Sequence, residues 1–533
     1  MGRDLHFGRR DFLRLGAGGV GAVALGSATA CAPTGPAGPP TPVDLYSMGI
    51  ASGLHSPTEI VCWTRSEPLL SAGHDLVLEV ATDATMTDLV WTSTHTPSAA
   101  ADHTVKVKPD GLTTDTVYWY RFREDGGANR LSPVGRARTL PAPGAAVSSL
   151  SLAYASCQNY ANGFYAAWRH IASQPVDAVL FLGDYIYEAE SIHAFGVVRA
   201  EPNTTCATLT DYRERYRLYK SDADLQLAHA AHPFVPIWDD HEVHNDYDKL
   251  VFVHDPLRAA AAYQAWFEYQ PVWPVDGTRT YRDLRWGNLG SIFMLDTRQY
   301  RDGHSDGTPL VGPRALGPFE ASPERSILGL PQRSWLLDGL DAAQADDVPW
   351  KLIGNQVLIA PLRTIDLDTP ENRALDPNLV KHAGFYSSSS FDTWDGFPVE
   401  RDMLLAHLNG NAIENTTFLT GDYHAFWAAG VTPDFDDPSA PIVANDYATG
   451  AISSAGGAFN EIFMSGGTGA LGFTPGFDYM DLFRNGYGLV EADHSELRVT
   501  FYAHDARFLS AVPVPVVRFT QTPGNPIASK QLL

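Results

Sequence analysis

The sequence predicts an α/β domain preceded by a β-sandwich, and three observations carry the prediction. Between residues 43 and 142, short alternating runs such as DLVLEVATD (75–83) and HTVKVKPD (103–110) follow one another, with Gly and Asp at the turns and no helical stretch between them. From residue 143 the rhythm changes to apolar strand-like runs separated by helical stretches at 164–173, 211–230, 256–268 and 333–343, the alternation of an α/β sheet. With 533 residues and 44% hydrophobic content the chain exceeds what one core usually serves, so two domains are expected, at 43–142 and 143–533.

Residues 1–31 read as an address. Arg9-Arg10-Asp11-Phe12-Leu13-Arg14, followed by a Gly/Ala-rich apolar run ending Ala28-Thr29-Ala30, resembles a twin-arginine export signal. The apolar run is about 16 residues, short of the roughly 20 that a membrane span needs. The expectation is export through the twin-arginine translocation machinery to an extracellular, periplasmic or cell-envelope location. That route carries folded proteins, which fits a metal site assembled before export. Cys31 follows directly and leaves two outcomes open, simple cleavage or a lipid anchor. Residues 32–42 (APTGPAGPPTP) are a Pro/Gly linker. In the sandwich, Leu112–Phe122 looks like the late strands of an immunoglobulin or fibronectin III-like module. Its Tyr118, Trp119 and Tyr120 could form a ligand platform, but alternation sends about half of them inward, and core packing is the expected role.

Against 38 Lys and Arg stand 62 Asp and Glu, a net charge of -24. That balance excludes a basic groove, so no sequence-specific nucleic acid binding is expected, and it gives no attraction to anionic membranes. A phosphate-bearing substrate would need cations in the site itself. Four cysteines in so long a chain make no disulfide framework, and Cys62 and Cys206 are expected to be free.

The ends of the apolar runs are the informative part. SLSLAYAS (149–156), VDAVLFLG (176–183), FVPIW (234–238), GSIFMLD (290–296), WKLIG (350–354) and TTFLTG (416–421) lead into Cys157, Asp184 to Tyr187, Asp239 to Glu242, Asp296 to Arg298, Asn355 and Asp422 to His424. Ligands of α/β sheets bind outside the carboxyl ends of the strands, so six such ends point at one shared site. The donors divide by softness. Cys157, Tyr187 and His424 offer thiolate, phenolate and imidazole, a set for a Lewis-acidic transition metal such as ferric iron. Asp240, Asn355 and Asp422 offer oxygen alone, which suits calcium or magnesium, and Asp184 can bridge the two. Paired cations activate a water and neutralise the oxygens of a phosphoryl displacement.

Gly-Asp-x-x-Tyr at 183–187, Asp-His-Glu at 240–242 and Gly-Asp-x-His at 421–424 resemble the calcineurin-like metallophosphoesterases. More closely, LGDYIYE (182–188), PIWDDHEVHNDY (236–247), WDGFPVER (394–401) and LTGDYHAFW (419–427) are similar to PhoD-type alkaline phosphatases and the related iron- and calcium-dependent phosphodiesterases. The resemblance runs from about residue 46 to 460. It implies a four-layer α/β/β/α metallophosphoesterase domain behind the sandwich, and a monomer acting on a phosphate ester. It implies one Fe3+ on Cys157, bridging Asp184, Tyr187 and His424, and one or two Ca2+ on Asp240, Asn355 and Asp422, with Asn245 a further oxygen donor. His241 takes the place of the histidine that contacts substrate and assists the leaving group.

Other residues have plainer readings. Tyr185 alternates away from Tyr187 and belongs to the core, and Asp239 is expected to point opposite Asp240, capping or orienting. Arg298 is either a structural partner of Asp296 or a substrate-binding phosphate clamp. The sequence therefore reads as an exported phosphoesterase cleaving monoesters and diesters. The alternatives are a phospholipase D-type phosphodiesterase on lipid head groups, or an extracellular binding protein on an inactive scaffold, which a degraded ligand set would favour. Substrate choice falls to the insertions at 188–208, 302–327 and 361–393.

Overall fold

All six apolar runs form strands, and they divide three and three between two sheets. The computed structural model describes residues 44–533 apart from 69–73, 127–128, 191–196, 203, 304–312, 388–390, 438 and 457–476; the export signal, Cys31 and the 32–42 linker lie outside the described residues. The larger sheet has ten strands in the order Ser529–Leu532, Val514–Gln521, Leu497–His504, Asn485–Ala492, Leu150–Ala155, Ala178–Leu182, Pro233–Ile237, Ile50–Leu54, Ile60–Arg65 and Thr104–Val107. The second has seven, in the order Arg282–Trp286, Gly290–Met294, Trp350–Asn355, Thr416–Thr420, Ala444–Ala448, Phe426–Val431 and Phe477–Asp481. In each sheet the runs that carry candidate ligands are neighbouring parallel strands.

The two sheets pack face to face. Leu152, Leu180, Leu182 and Ile237 of the first share one buried cluster with Ile292, Met294, Leu352 and Leu419 of the second. On the outer face of the first sheet lie helices Ala166–Ala172, Leu209–Lys220, Ala223–Ala231 and Pro256–Tyr269, burying Trp168, Tyr216, Leu225 and Trp266. Gly329–Ala345 and Pro398–Gly410 cover the second sheet through Leu336, Leu340, Leu404 and Leu408. The four-layer α/β/β/α order is thus observed. Local chemistry sets the helix starts: Thr208 and Asp211 form a capping box, Asp222 accepts two first-turn N–H groups, and Pro256 opens its helix behind Asp255. Among the described residues no helix is long and apolar enough to cross a membrane.

The sandwich has a feature absent from the sequence reading. Its four-stranded sheet (Leu89–His95, Asp75–Ala81, Val117–Asp125 and Gly135–Arg138) packs on Ile50, Ile60, Cys62, Val105 and Val107, which belong to the ten-stranded sheet. Ile50–Leu54 pairs antiparallel with Ile60–Arg65 on one edge and parallel with Pro233–Ile237 on the other. The second layer of the sandwich is therefore the far end of the larger sheet. Tyr118 and Tyr120 are buried core residues and Trp119 between them is half-buried, as alternation requires. Cys62 and Cys206 are free and buried.

Candidate metal centre

The candidate ligands leave their strands through an unusual backbone. Cys157, Asp184, Asp422 and His424 all have φ between 51° and 62°, the left-handed region that non-glycine residues seldom enter. Cys157, Asp184 and Asp422 each stand two residues beyond the end of a strand, and His424 two residues before the strand Phe426–Val431. Gly183, at φ 101°, permits the next approach: a Cβ there would lie 2.4 Å from Cβ of Asp239. The loops after Ala178–Leu182 and Pro233–Ile237 thereby touch.

Two adjoining groups result. In the first, ligand atoms of Cys157, Asp184 and His424 lie within 4.8 Å of one another. The Tyr187 hydroxyl is 2.8 Å from Asp184 Oδ2 and 2.9 Å from His424 Nε2, and it accepts a hydrogen bond from Ser454 Oγ at 2.8 Å. Nδ1 of His424 faces the Ala455 carbonyl at 3.1 Å, an acceptor alone, so Nδ1 carries the proton and Nε2 presents its lone pair. Burial lowers His424 to about 4 and keeps it neutral. A single phenol proton cannot serve both Asp184 and His424. Burial, then the Asp184 charge, also pushes the Cys157 thiol and Tyr187 phenol well above their ordinary values, so a cation must displace protons to gain these ligands.

The second group is acidic. Asp239, Asp240 and Asp422 bring carboxylate oxygens within 4.8 Å of one another, as do Asp240, Asp246 and Asp392. Asp239 Oδ2 and Asp240 Oδ1 are buried with no hydrogen-bond partner among the described residues. Burial, despite Arg298, raises Asp239 to about 7, and burial with repulsion from Asp239 raises Asp422; Asp240 is held low because Arg298 and His241 outweigh its burial. Carboxylates gathered in this number, two of them buried with an oxygen left unpaired, fit a hard cation.

Two expectations, on Asp239 and on Arg298, need correction. Asp239 does not point opposite Asp240: the strand ends at Ile237, so the two-residue period no longer governs it. Arg298 is not open to substrate. Its side chain is wholly buried, Nε donates to Asp239, and Nη1 lies 2.6 Å from Asp392, with Asp240 and Asp422 at 3.8 and 3.7 Å. It answers the acidic group's charge, whereas Asp296 accepts the backbone N–H of Arg298. Asn355 is buried at its strand end, but its amide donates to the Val357 carbonyl and accepts from Trp394 Nε1. Asn245 is exposed, and its backbone N–H donates to Glu188 Oε1 at 3.2 Å; the neighbouring Asp246 joins the acidic group instead. Tyr185 is core, its hydroxyl 2.8 Å from His229 Nε2.

His241 lies between the groups, an imidazole nitrogen within 4.8 Å of carboxylate oxygens of Asp184 and Asp240. Its Nδ1 is 2.7 Å from Glu188 Oε2, and its ring lies 4.2 Å from that of Tyr187. Burial opposes its charge, but Asp240, Glu188 and Asp184 outweigh that and raise it well above the ordinary histidine value. Sequence reasoning gave no role to Glu188, Glu242, Asp392 or Ser454. Glu188 and Glu242 close quoted motifs, and Glu242 accepts the N–H groups of Tyr185 and Asp239. Asp392 and Ser454 sit in loops that carry no periodic signal.

Residues 152–501 match the PhoD-like phosphatase family, and residues 31–141 match that family's N-terminal domain. The chain belongs to the PhoD-like phosphatase family. It is similar to alkaline phosphatase D of Bacillus subtilis (strain 168), at 35% identity over 435 residues, 77% of this chain and 70% of that one. A solved structure of PhoD superposes with TM-score 0.80 at 30% identity, covering 92% of this chain and 93% of the other. The purple acid phosphatase PPD1 from yellow lupin (Lupinus luteus) seeds shares the fold, with TM-score 0.52 and 12% identity over 89% of this chain and 73% of that one. The resemblance read from the strand-end motifs is borne out. As a PhoD-like phosphatase the protein is a phosphate ester hydrolase, and its strand ends carry groups of side chains that could hold metal ions.

Proposed function

We propose that this PhoD-like phosphatase is an exported alkaline phosphatase that cleaves phosphate monoesters and diesters with one Fe3+ and one or two Ca2+. The single observation carrying this reading is the side-by-side placement of a thiol, phenol and imidazole group and an oxygen-only group. Cys157, Asp184, Tyr187 and His424 would hold the iron; Asp240 and Asp422, with Asp239, would hold calcium. When bound, the cations activate a water for attack on phosphorus and neutralise the charge that gathers on the phosphoryl oxygens.

The chain's own residues do the rest. His241 hydrogen-bonds the ester and hands a proton to the leaving oxygen. Arg298 keeps Asp239 and Asp392 oriented and tempers their mutual repulsion. The twin-arginine motif supports export, with release or a lipid anchor decided at Cys31. Rates on a nitrophenyl monoester, its diester and phosphatidylcholine, with and without calcium, together with elemental analysis, test the reading. Turnover confined to phosphatidylcholine favours the phospholipase alternative, and a metal-loaded protein inert on all three favours the binding scaffold.

A further inference from the structure

We propose that Glu188 is a positioning residue for His241, fixing the imidazole so that its other nitrogen meets the leaving oxygen. The proposal rests on the reading of His241 as leaving-group acid. Glu188 follows Tyr187 directly, and its side chain is only 4% exposed. Its two oxygens are divided: Oε2 accepts from His241 Nδ1 at 2.7 Å, and Oε1 accepts the backbone N–H of Asn245 at 3.2 Å. Its own carbonyl accepts the Cys206 N–H at 2.8 Å, and Arg258 Nη2 approaches Oε1 at 3.7 Å. The carboxylate is thus met by Asn245 and Arg258, and the backbone of Glu188 by Cys206, before the side chain meets the ring.

The ring needs that anchor. A histidine turns broadly about its Cβ–Cγ bond. A half-turn exchanges Nδ1 with Cδ2 and Nε2 with Cε1, which would put a carbon where the proton donor belongs. Stacking of the Tyr187 ring, at 4.2 Å and 32°, fixes the plane of the imidazole but does not tell one edge from the other. The hydrogen bond to Glu188 does, because Nδ1–H can meet Oε2 in one of the two orientations alone. Glu188 also ties this choice to the loop after His241 through the Asn245 N–H, so ring and loop are held as one unit. The carboxylate touches neither ester nor cation and acts through the imidazole.

Glu188→Ala, Glu188→Gln, His241→Ala and the Glu188→Ala/His241→Ala double variant of the metal-loaded protein test this, with metal content, kcat and KM read on aryl phosphates of graded leaving-group pKa. In Glu188→Ala the expected result is full metal content, little change in KM, and kcat lower by about 10²-fold on poor leaving groups and less on nitrophenol, as misplacing a catalytic group predicts. Glu188→Gln keeps one acceptor oxygen and should recover part of the loss. The double variant should be no slower than His241→Ala. Multiplied losses in the double variant, loss of metal in Glu188→Ala, or a change in KM alone would overturn the proposal. If Glu188→Ala does not fold, the same cycle with Glu188→Gln decides by the same criteria. A wild-type leaving-group dependence in the Glu188 variants, with an altered one in His241→Ala, overturns the proposal alone. An unaltered dependence in His241→Ala overturns the reading of His241 and the proposal with it.

Discussion

The hydroxyl of Tyr187 stands 2.9 Å from Nε2 of His424, although the two residues are 237 positions apart and come from different sheets. Nothing local demands that meeting. Both residues have been brought to the seam between the sheets, where the phenol oxygen faces the lone pair of a neutral imidazole and a thiol lies beside them.

The first prediction concerns colour. A phenolate on ferric iron gives a visible charge-transfer band, so the metal-loaded protein should be coloured and Tyr187→Phe should lose the band. Its iron affinity should fall by at least the about 10- to 100-fold that loss of an outer partner costs. Ser454→Ala, which removes the hydrogen bond to the phenol oxygen, should keep the iron and shift the band. A colourless, fully active protein without iron would sink the assignment, and zinc would then be the cation to consider.

A second prediction follows from proton bookkeeping. Cys157 and Tyr187 are protonated at neutral pH because burial raises both, whereas His424, lowered to about 4, is already neutral. Burial also raises the Asp184 carboxyl well above the usual carboxylate range, so loading the first cation at pH 7 should release at least about two protons, measurable by calorimetry in buffers of different ionisation enthalpy. Cys157→Ser should lower the count by about one. Release of no protons would place the cation on other ligands.

Much of this centre was legible in the sequence because strand-end chemistry is local: an apolar run followed at once by Cys157, Asp184 or Asp422 announces both the sheet and the ligand. What was not legible depends on distance. Asp392 reaches the acidic group from a loop near the small sheet of Pro313–Ala315, Gly384–Ser387 and Arg363–Asp366, and no period in the sequence says where such a loop returns. Asp239 was misdirected because alternation was carried two residues past the strand. The Ile50–Leu54 strand reads as sandwich from its neighbours in sequence, while its parallel partner Pro233–Ile237 is a tertiary choice.

Calcium should be the exchangeable cation. Oxygen donors release it readily, so a calcium chelator should abolish turnover reversibly while the iron stays. Asp240→Ala and Asp422→Ala should copy the chelated state even at high calcium, with kcat lower by at least about 10²-fold, the scale of losing a charge-stabilising group. Activity that survives prolonged chelation would count against a calcium role.

Arg298→Met separates a buried counter-charge from a substrate clamp. Removing one partner from a buried ion pair costs about 3 to 5 kcal/mol; Asp239 would lose its paired guanidinium, while Asp392 would keep Arg301 at 2.7 Å. The expected outcome is a loss of unfolding free energy of that order, partly restored by added calcium. A variant as stable as wild type whose only defect is a raised KM would return Arg298 to the substrate.

The last prediction lies outside the centre, at His382. This buried residue, at φ 61°, sets Nδ1 at 2.8 Å from Asp436 and Nε2 at 2.9 Å from Asp402 of the helix Pro398–Gly410, and its N–H donates to Asp368 Oδ2 at 2.7 Å. Asp368, His382 and Asp436 have the spacing of a metal site, but Arg373 already pairs with Asp368 and Arg363 with Asp436, so the group is better read as an ionic clasp joining the 361–393 insertion to the second sheet's outer layer. With a carboxylate on each nitrogen the ring is an imidazolium: burial opposes the charge, and the hydrogen bonds to Asp402 and Asp436 outweigh it and raise the value. Being raised, it stabilises fully below about 6.5, the ordinary histidine value, and the contribution fades as pH climbs through the folded value. Asp402 and Asp436 are held low, Asp436 at about 2, so their share is present above about 3.9 and fades in acid. The clasp is therefore strongest between about pH 4 and 6.5. His382→Gln should cost roughly 3 kcal/mol of unfolding free energy at pH 5.5 and less at pH 10, because a raised group loses its contribution as pH climbs. An equal cost at both pH values would show that His382 acts by packing, and a cost that grows with pH would reverse the sign of the argument.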